Sequence, residues 1–189
     1  MTSRYLDASG YIHDVNESEQ TRPVGQGGAD PQLMAAALAA ELLKRSSMVC
    51  TAESLTGGAL GDLLSAAPGA SDTYLGGVVS YATRLKVSLL GVAPETVAEH
   101  GVVSAECAAQ MATGARSLTG SDYAVSTTGV AGPTGQEGKP VGLVYVGVAG
   151  PGGVSTKELH LSGSRAEIRQ MACLEAVSAV IEMVVGVTE

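Results

Sequence analysis

Three short stretches concentrate the side chains that could do chemistry: AESLTGG at 52–58, SYATRLK at 80–86 and STTGVAGPTG at 126–135. Each follows an apolar run and leads into glycines or a helical pattern. Together they supply hydroxyls (Ser54, Thr56, Tyr81, Thr127, Thr128), one amine (Lys86) and backbone N–H groups flanked by glycine. A hydrophobic core needs none of these at its strand ends; a site does. Taken singly, each has a plainer explanation. Ser54 or Thr56 can cap a helix, the glycines can be packing points, Thr127 and Thr128 can simply end a strand, and a lone lysine is most often solvated. The functional reading rests on convergence, because the carboxyl ends of strands in an open α/β sheet collect at one edge.

The elements that must bring them there follow from pattern. Asp30 is placed as an N-cap with Pro31 at the first helical position, opening a helix through LMAAALAAELLKR. SMVCTAE (47–53) reads as a buried strand, and GGALGDLLSA (57–66) keeps helical spacing despite its glycines. TYLGGVVSYA (73–82) reads as a strand, TRLKVSLLGV as a short helix closed by Gly91, and PETVAEHG as a helical turn. Ser104 caps an Ala-rich helix running to about Leu118, and SDYAVSTTG forms the next strand. VGLVYVGVAG and GVSTKELHL predict a hairpin around Pro151-Gly152-Gly153, and a last helix runs from Ser164 to Val184. Strands and helices alternate early and a hairpin comes late. That order predicts a single α/β domain over 31–189, three-layered α/β/α, with a mixed, mostly parallel sheet and a late antiparallel hairpin. Residues 1–30 are polar and aperiodic, and read as an extension, flexible or serving as an arm onto a partner subunit.

The bulk composition narrows the partners. At 189 residues, 45% hydrophobic, with neither Phe nor Trp, the core must be aliphatic. A net charge of −8 excludes the basic face that nucleic acid demands, yet leaves room for a small anionic ligand met by a few local donors. Cys50, Cys107 and Cys173 are widely spaced in apolar contexts and read as small core residues, with no metal-ligand spacing. No 18-residue apolar run or secretory signal is evident, so a soluble cytoplasmic protein is expected, with no membrane partner.

Four blocks, AESLTGG, GGVVSYATRLKVSLLGV, HGVVSAECAAQMATGA and GVAGPTGQEGKPVGLVYVG, occur in an order and spacing that closely resemble the CinA C-terminal domain family. The resemblance covers about residues 32–185 and assigns no counterpart to the first 30 residues or to the larger domain that precedes this one in full-length members. Stand-alone members are nicotinamide-nucleotide amidohydrolases. The resemblance therefore implies hydrolysis of nicotinamide mononucleotide to nicotinate mononucleotide and ammonia, without a cofactor or metal.

An amide is a poor electrophile, so its hydrolysis needs a nucleophile, a base, an oxyanion site and a proton for the departing ammonia. Ser54, at a strand-to-helix turn, is the candidate nucleophile. Lys86 is the candidate base, provided that an apolar setting lowers its pKa. Tyr81 is placed to relay a proton or orient the lysine, and Thr128 to bond the serine, the lysine or the substrate. For binding, Thr56, Gly57 and Gly58 at the helix start and Thr127, Gly129 and Gly132 at the third loop are the candidate phosphate or oxyanion cradles. Arg84 and Lys139 add charge. Glu53 either orients a site hydroxyl or caps the adjacent helix. The Arg165/Arg169 pair reads as a solvated helix face.

The chain departs from the family pattern at Leu55, commonly cysteine, at Ala82-Thr83, where an amide side chain is usual, at Gln136 and at Leu143. With Ser54 as nucleophile, Leu55 is expected to be tolerated. Two other readings stay open: a non-catalytic protein that binds a nucleotide or a protein, fitting the family's association with competence and DNA damage, and a hydrolase of another phosphorylated amide. A homo-oligomer is expected, through the Ala-rich helices or the N-terminal arm.

Overall fold

The computed structural model describes residues 3–6, 12–15 and 30–186. The first two segments are strands β1 (Ser3–Leu6) and β2 (Ile12–Val15), paired antiparallel with Ser3 opposite Val15. The rest of the expected N-terminal extension lies outside the described residues.

The main sheet has five strands in the order β4-β3-β5-β6-β7. These are β3 (Val49–Glu53), β4 (Tyr74–Val79), β5 (Tyr123–Gly129), β6 (Leu143–Gly150) and β7 (Gly153–His160). β3 runs parallel to both of its neighbours, pairing Glu53 with Val79 on one side and with Thr127 on the other. β6 runs antiparallel to β5 and to β7. Four strands therefore point one way and only β6 opposes them, as the sequence pattern predicts. The register puts the ends of β3, β4 and β5 side by side, so the three chemistry-bearing loops share one edge.

Among the described residues, seven helices accompany the sheet: α1 (Pro31–Lys44), α2 (Ala59–Ser65), α3 (Ala70–Thr73), α4 (Thr83–Leu90), α5 (Pro94–His100), α6 (Ala105–Thr119) and α7 (Arg165–Gly186). α1, α2 and α7 cover one face of the sheet, and α4, α5 and α6 cover the other. The sequence explains the choice of faces. In α1 the buried residues Ala35, Leu38, Ala39 and Leu42 recur at helical spacing, behind a start where Asp30 accepts from the Gln32 N–H. α6 begins where Ser104 Oγ accepts from the Cys107 N–H and ends at Gly120, in the left-handed conformation.

With no large aromatics, the core closes by letting backbones approach. A Cβ at Gly147 would lie 2.5 Å from the Ala108 carbonyl oxygen, and one at Gly114 would overlap that of Leu90. These two contacts set α6 tightly between β6 and α4. The three cysteines are free and buried, as expected. The strand predicted over 73–82 is shorter, because α3 takes Thr73 and the chain turns away after Val79. No helix among the described residues is long and apolar enough to cross a membrane.

Candidate active site

Ser54 follows β3 directly, and its backbone N–H stays in the sheet by donating to the Thr127 carbonyl at 2.9 Å. The next residues form a tight elbow with positive φ at Gly57 and Gly58 before α2 begins. Lys86 stands on the first turn of α4, just after β4 ends. Its side chain is only 1% exposed, and its Nζ lies 2.9 Å from Ser54 Oγ and 2.6 Å from the Ser80 carbonyl oxygen. Burial holds the Lys86 pKa below the ordinary lysine range. The Cys107 thiol is itself pushed up to about 11 by burial, so it carries no charge near neutrality and cannot serve as a counterion. Lys86 Nζ donates to both the Ser54 hydroxyl oxygen and the Ser80 carbonyl, and the burial that disfavours its ammonium favours the form able to take the Ser54 proton.

The two groups open into a cleft of about 260 Å³. Tyr81, Thr128, Gly129, Gly132 and Arg165 are among the residues that line it. Of the sequence-predicted residues, then, Ser54, Lys86, Tyr81, Thr128, Gly129 and Gly132 come together. Tyr81 is 60% exposed at the rim, and its oxygen accepts from Arg165 Nη2 at 3.1 Å rather than contacting Lys86. Thr128 faces the cleft, but its hydroxyl donates to the Val102 carbonyl at 2.6 Å.

The remaining expectations are corrected. Glu53 does not reach the cleft: it is 1% exposed, and its oxygens accept from the N–H groups of Gly58 (2.8 Å), Leu60 (3.1 Å) and Gly61 (2.8 Å). Of its two readings, the helix cap is the observed one. The protein's own carboxylate thus fills the helix start, and Gly57 and Gly58 offer no phosphate cradle there. Thr56 and Thr127 are buried and bonded to each other at 2.8 Å, behind the cleft wall. Arg84 lies outside the cleft lining on the exposed side of α4. Lys139 also lies outside it, its ammonium donating to the carbonyls of His100 (2.7 Å) and Val103.

The arginine pair is the opposite correction. Arg165 is not merely solvated: Nη1 donates to the Gly132 carbonyl at 2.6 Å and Nη2 to Tyr81, which brings a cation to the cleft rim. Arg169 turns inward to the carbonyls of Leu55 (3.1 Å) and Thr56 (2.5 Å). One signal for Arg165 was present in the sequence. The S-x-x-E box of Ser164 and Glu167 marks a helix start, where an arginine opposes the helix dipole and calls for another reason to be there.

Comparison with known proteins agrees with this architecture. The family model described as the CinA C-terminal domain matches residues 32–184. A CinA-like protein of Frankia casuarinae is 47% identical over 160 residues, covering 85% of this chain and 37% of that protein. One of Thermosynechococcus vestitus is 47% identical over 154 residues, covering 79% and 37%. The chain therefore spans little more than a third of the length of these relatives. Among solved structures, a CinA superfamily protein of Klebsiella pneumoniae superposes with a TM-score of 0.81 at 32% identity, covering 84% of this chain and 99% of that one. A competence/damage inducible protein of Agrobacterium tumefaciens gives 0.79 at 34%, covering 85% and 99%. The family model's match over residues 32–184, together with solved CinA superfamily structures that superpose on the fold, shows that the chain belongs to the CinA C-terminal domain family.

Proposed function

We propose that this chain hydrolyses the carboxamide of nicotinamide mononucleotide, releasing nicotinate mononucleotide and ammonia. The observation that carries the reading is the 2.9 Å contact between Ser54 Oγ and the buried Lys86 Nζ. A binding module gains nothing from a desolvated amine beside a serine, whereas acyl transfer requires a base that is neutral near working pH.

In this reading Lys86 takes the Ser54 proton as Oγ attacks the amide carbon. Collapse of the tetrahedral adduct breaks the C–N bond, and Lys86 returns the proton to the departing nitrogen as ammonia leaves. Water, deprotonated by Lys86, then attacks the acyl-serine ester, and Lys86 returns the proton to Ser54 Oγ as that bond breaks and the carboxylate is released. The backbone of the Gly129–Gly132 loop, along the same cleft, supplies candidate donors for the oxyanion. Arg165 supplies the cation at the rim, which suits a phosphate-bearing ligand and gives an acidic protein a local positive site.

The test is ammonia release from nicotinamide mononucleotide, nicotinamide riboside and nicotinamide under matched conditions. The mononucleotide should be preferred in kcat/KM, and Arg165→Ala should shrink that preference mainly through KM. Equal turnover of all three would move the reading to a general amidase. No release from any, with the mononucleotide still bound, would favour the non-catalytic binding protein.

A further inference from the structure

Residues 54–58 form an elbow of five residues whose polar backbone groups face in two directions, and a different charged side chain meets each set. On one side the Glu53 carboxylate collects the N–H of Gly58, at the end of the elbow, with those of Leu60 and Gly61 in the first turn of α2. On the other, Arg169 Nε donates to the Leu55 carbonyl and Nη2 to the Thr56 carbonyl. A guanidinium is a planar fork, suited to two successive acceptors in a way that an ammonium is not. Among the described residues neither charge enters a side-chain ion pair. Both are directed at backbone dipoles in a buried or half-buried setting, where such bonds are strong and leaving them unmade is costly.

We propose that Glu53 and Arg169 are positioning residues that clamp the Ser54 elbow from its two polar sides and so hold Ser54 Oγ against Lys86 Nζ. The inference rests on Ser54 and Lys86 being the reacting pair. The Ser54 N–H is already anchored on Thr127, and the Thr56 hydroxyl is anchored on the same residue. Leu55, buried against α7, and the turn bond from the Gly57 N–H to the Ser54 carbonyl also hold the elbow, and the clamp adds the two charged contacts that fix the direction in which it leaves the sheet. α7 supplies Arg169 and β3 supplies Glu53, so the elbow's geometry couples the last helix to the central strand. A displacement of about 1 Å at a reacting atom can lower a rate on the order of a hundredfold, so a loose elbow should remove reactivity before it removes the fold.

The experiment measures the rate at which a small fluorophosphonate labels Ser54, read from the mass of the Ser54 peptide, beside ammonia release from nicotinamide mononucleotide. The variants are Arg169→Ala, Arg169→Lys and Glu53→Gln, each with a thermal melt. Arg169→Ala is expected to label at least about tenfold more slowly, in the range a sub-ångström displacement allows, with a cooperative melt. Millimolar guanidinium should restore its rate in a saturable way, which a simple loss of stability would not show. Arg169→Lys should fall between, and Glu53→Gln should slow labelling without guanidinium rescue. A folded Arg169→Ala that labels at the wild-type rate, or gains nothing from guanidinium, overturns the clamp. Loss of folding in all three variants overturns it as well, by assigning the residues to the fold rather than to the elbow. A wild type that labels at Ser54 but releases no ammonia removes the deamidation reading and leaves the clamp standing.

Discussion

Lys86 is held where its charged form is penalised, and that has a measurable thermodynamic sign. Its folded-state pKa lies below the ordinary 10.5 because burial disfavours the ammonium. Between the lowered folded value and the ordinary unfolded value, the unfolded chain binds the extra proton. Stability therefore rises with pH across that window and is lowest once pH falls below the folded value. The melting temperature of Lys86→Met should lack this rise, and that of the wild type should climb relative to the variant's as pH increases across the window. On the proposed mechanism the same lowered pKa should set the ascending limb of kcat/KM against pH, with a midpoint below the ordinary lysine value. Leu55 offers a second residue-scale test. Its side chain is buried with Ala131, Val144, Ile168 and Ala172, joining the elbow to α7. Leu55→Cys should preserve turnover, whereas Ser54→Ala combined with Leu55→Cys should not recover it. Recovery in the double variant would make a thiol at 55 the competent nucleophile.

At the scale of elements, the site depends on how closely α6 packs, because α6 supports α4 and α4 carries Lys86. Gly114 lies against the Leu90 carbonyl at the end of α4. Gly114→Ala should force the two helices apart, lowering stability by about 1–3 kcal/mol through overpacking and lowering kcat as Lys86 shifts. Denaturant midpoints and turnover check both, and an unchanged kcat would uncouple α6 from the site. The strand ends carrying Ser54 and Lys86 were legible in the sequence because local signals mark them: an apolar run, then hydroxyl or amine, then glycine or helix. Beyond the oddity of an arginine at the start of α7, nothing local marks Arg165 or Arg169 as site residues, because what they touch is set by α7 folding back across the sheet edge. Glu53 shows a third limit. Two anions, the protein's and a ligand's, compete for the same helix start, and only the elbow's geometry shows that the carboxylate one residue before Ser54 has taken it. Lys139 lies outside the cleft because its ammonium donates to the carbonyls of His100 and Val103.

For the molecule as a whole, composition and fold assign different things. The net charge of −8 makes phosphate-backbone binding unfavourable. A mobility-shift titration with duplex and single-stranded DNA at low salt should show no complex, and a salt-sensitive complex would contradict this. Three-layer architecture of this kind hosts many chemistries, so the activity must be argued from the cleft and not from the superposition. The aliphatic core, closed through glycine contacts, holds three strand ends in register, and those strand ends bring a serine, a lysine and a cationic rim into one cleft.

The central claim is that Ser54 and Lys86 together perform amide hydrolysis. The most direct measurement is ammonia release from nicotinamide mononucleotide by wild type, Ser54→Ala and Lys86→Ala, each with its melting curve. Release by wild type that falls by orders of magnitude in both folded variants is the predicted result. Turnover that survives Ser54→Ala, or a folded wild type that releases no ammonia, would contradict it.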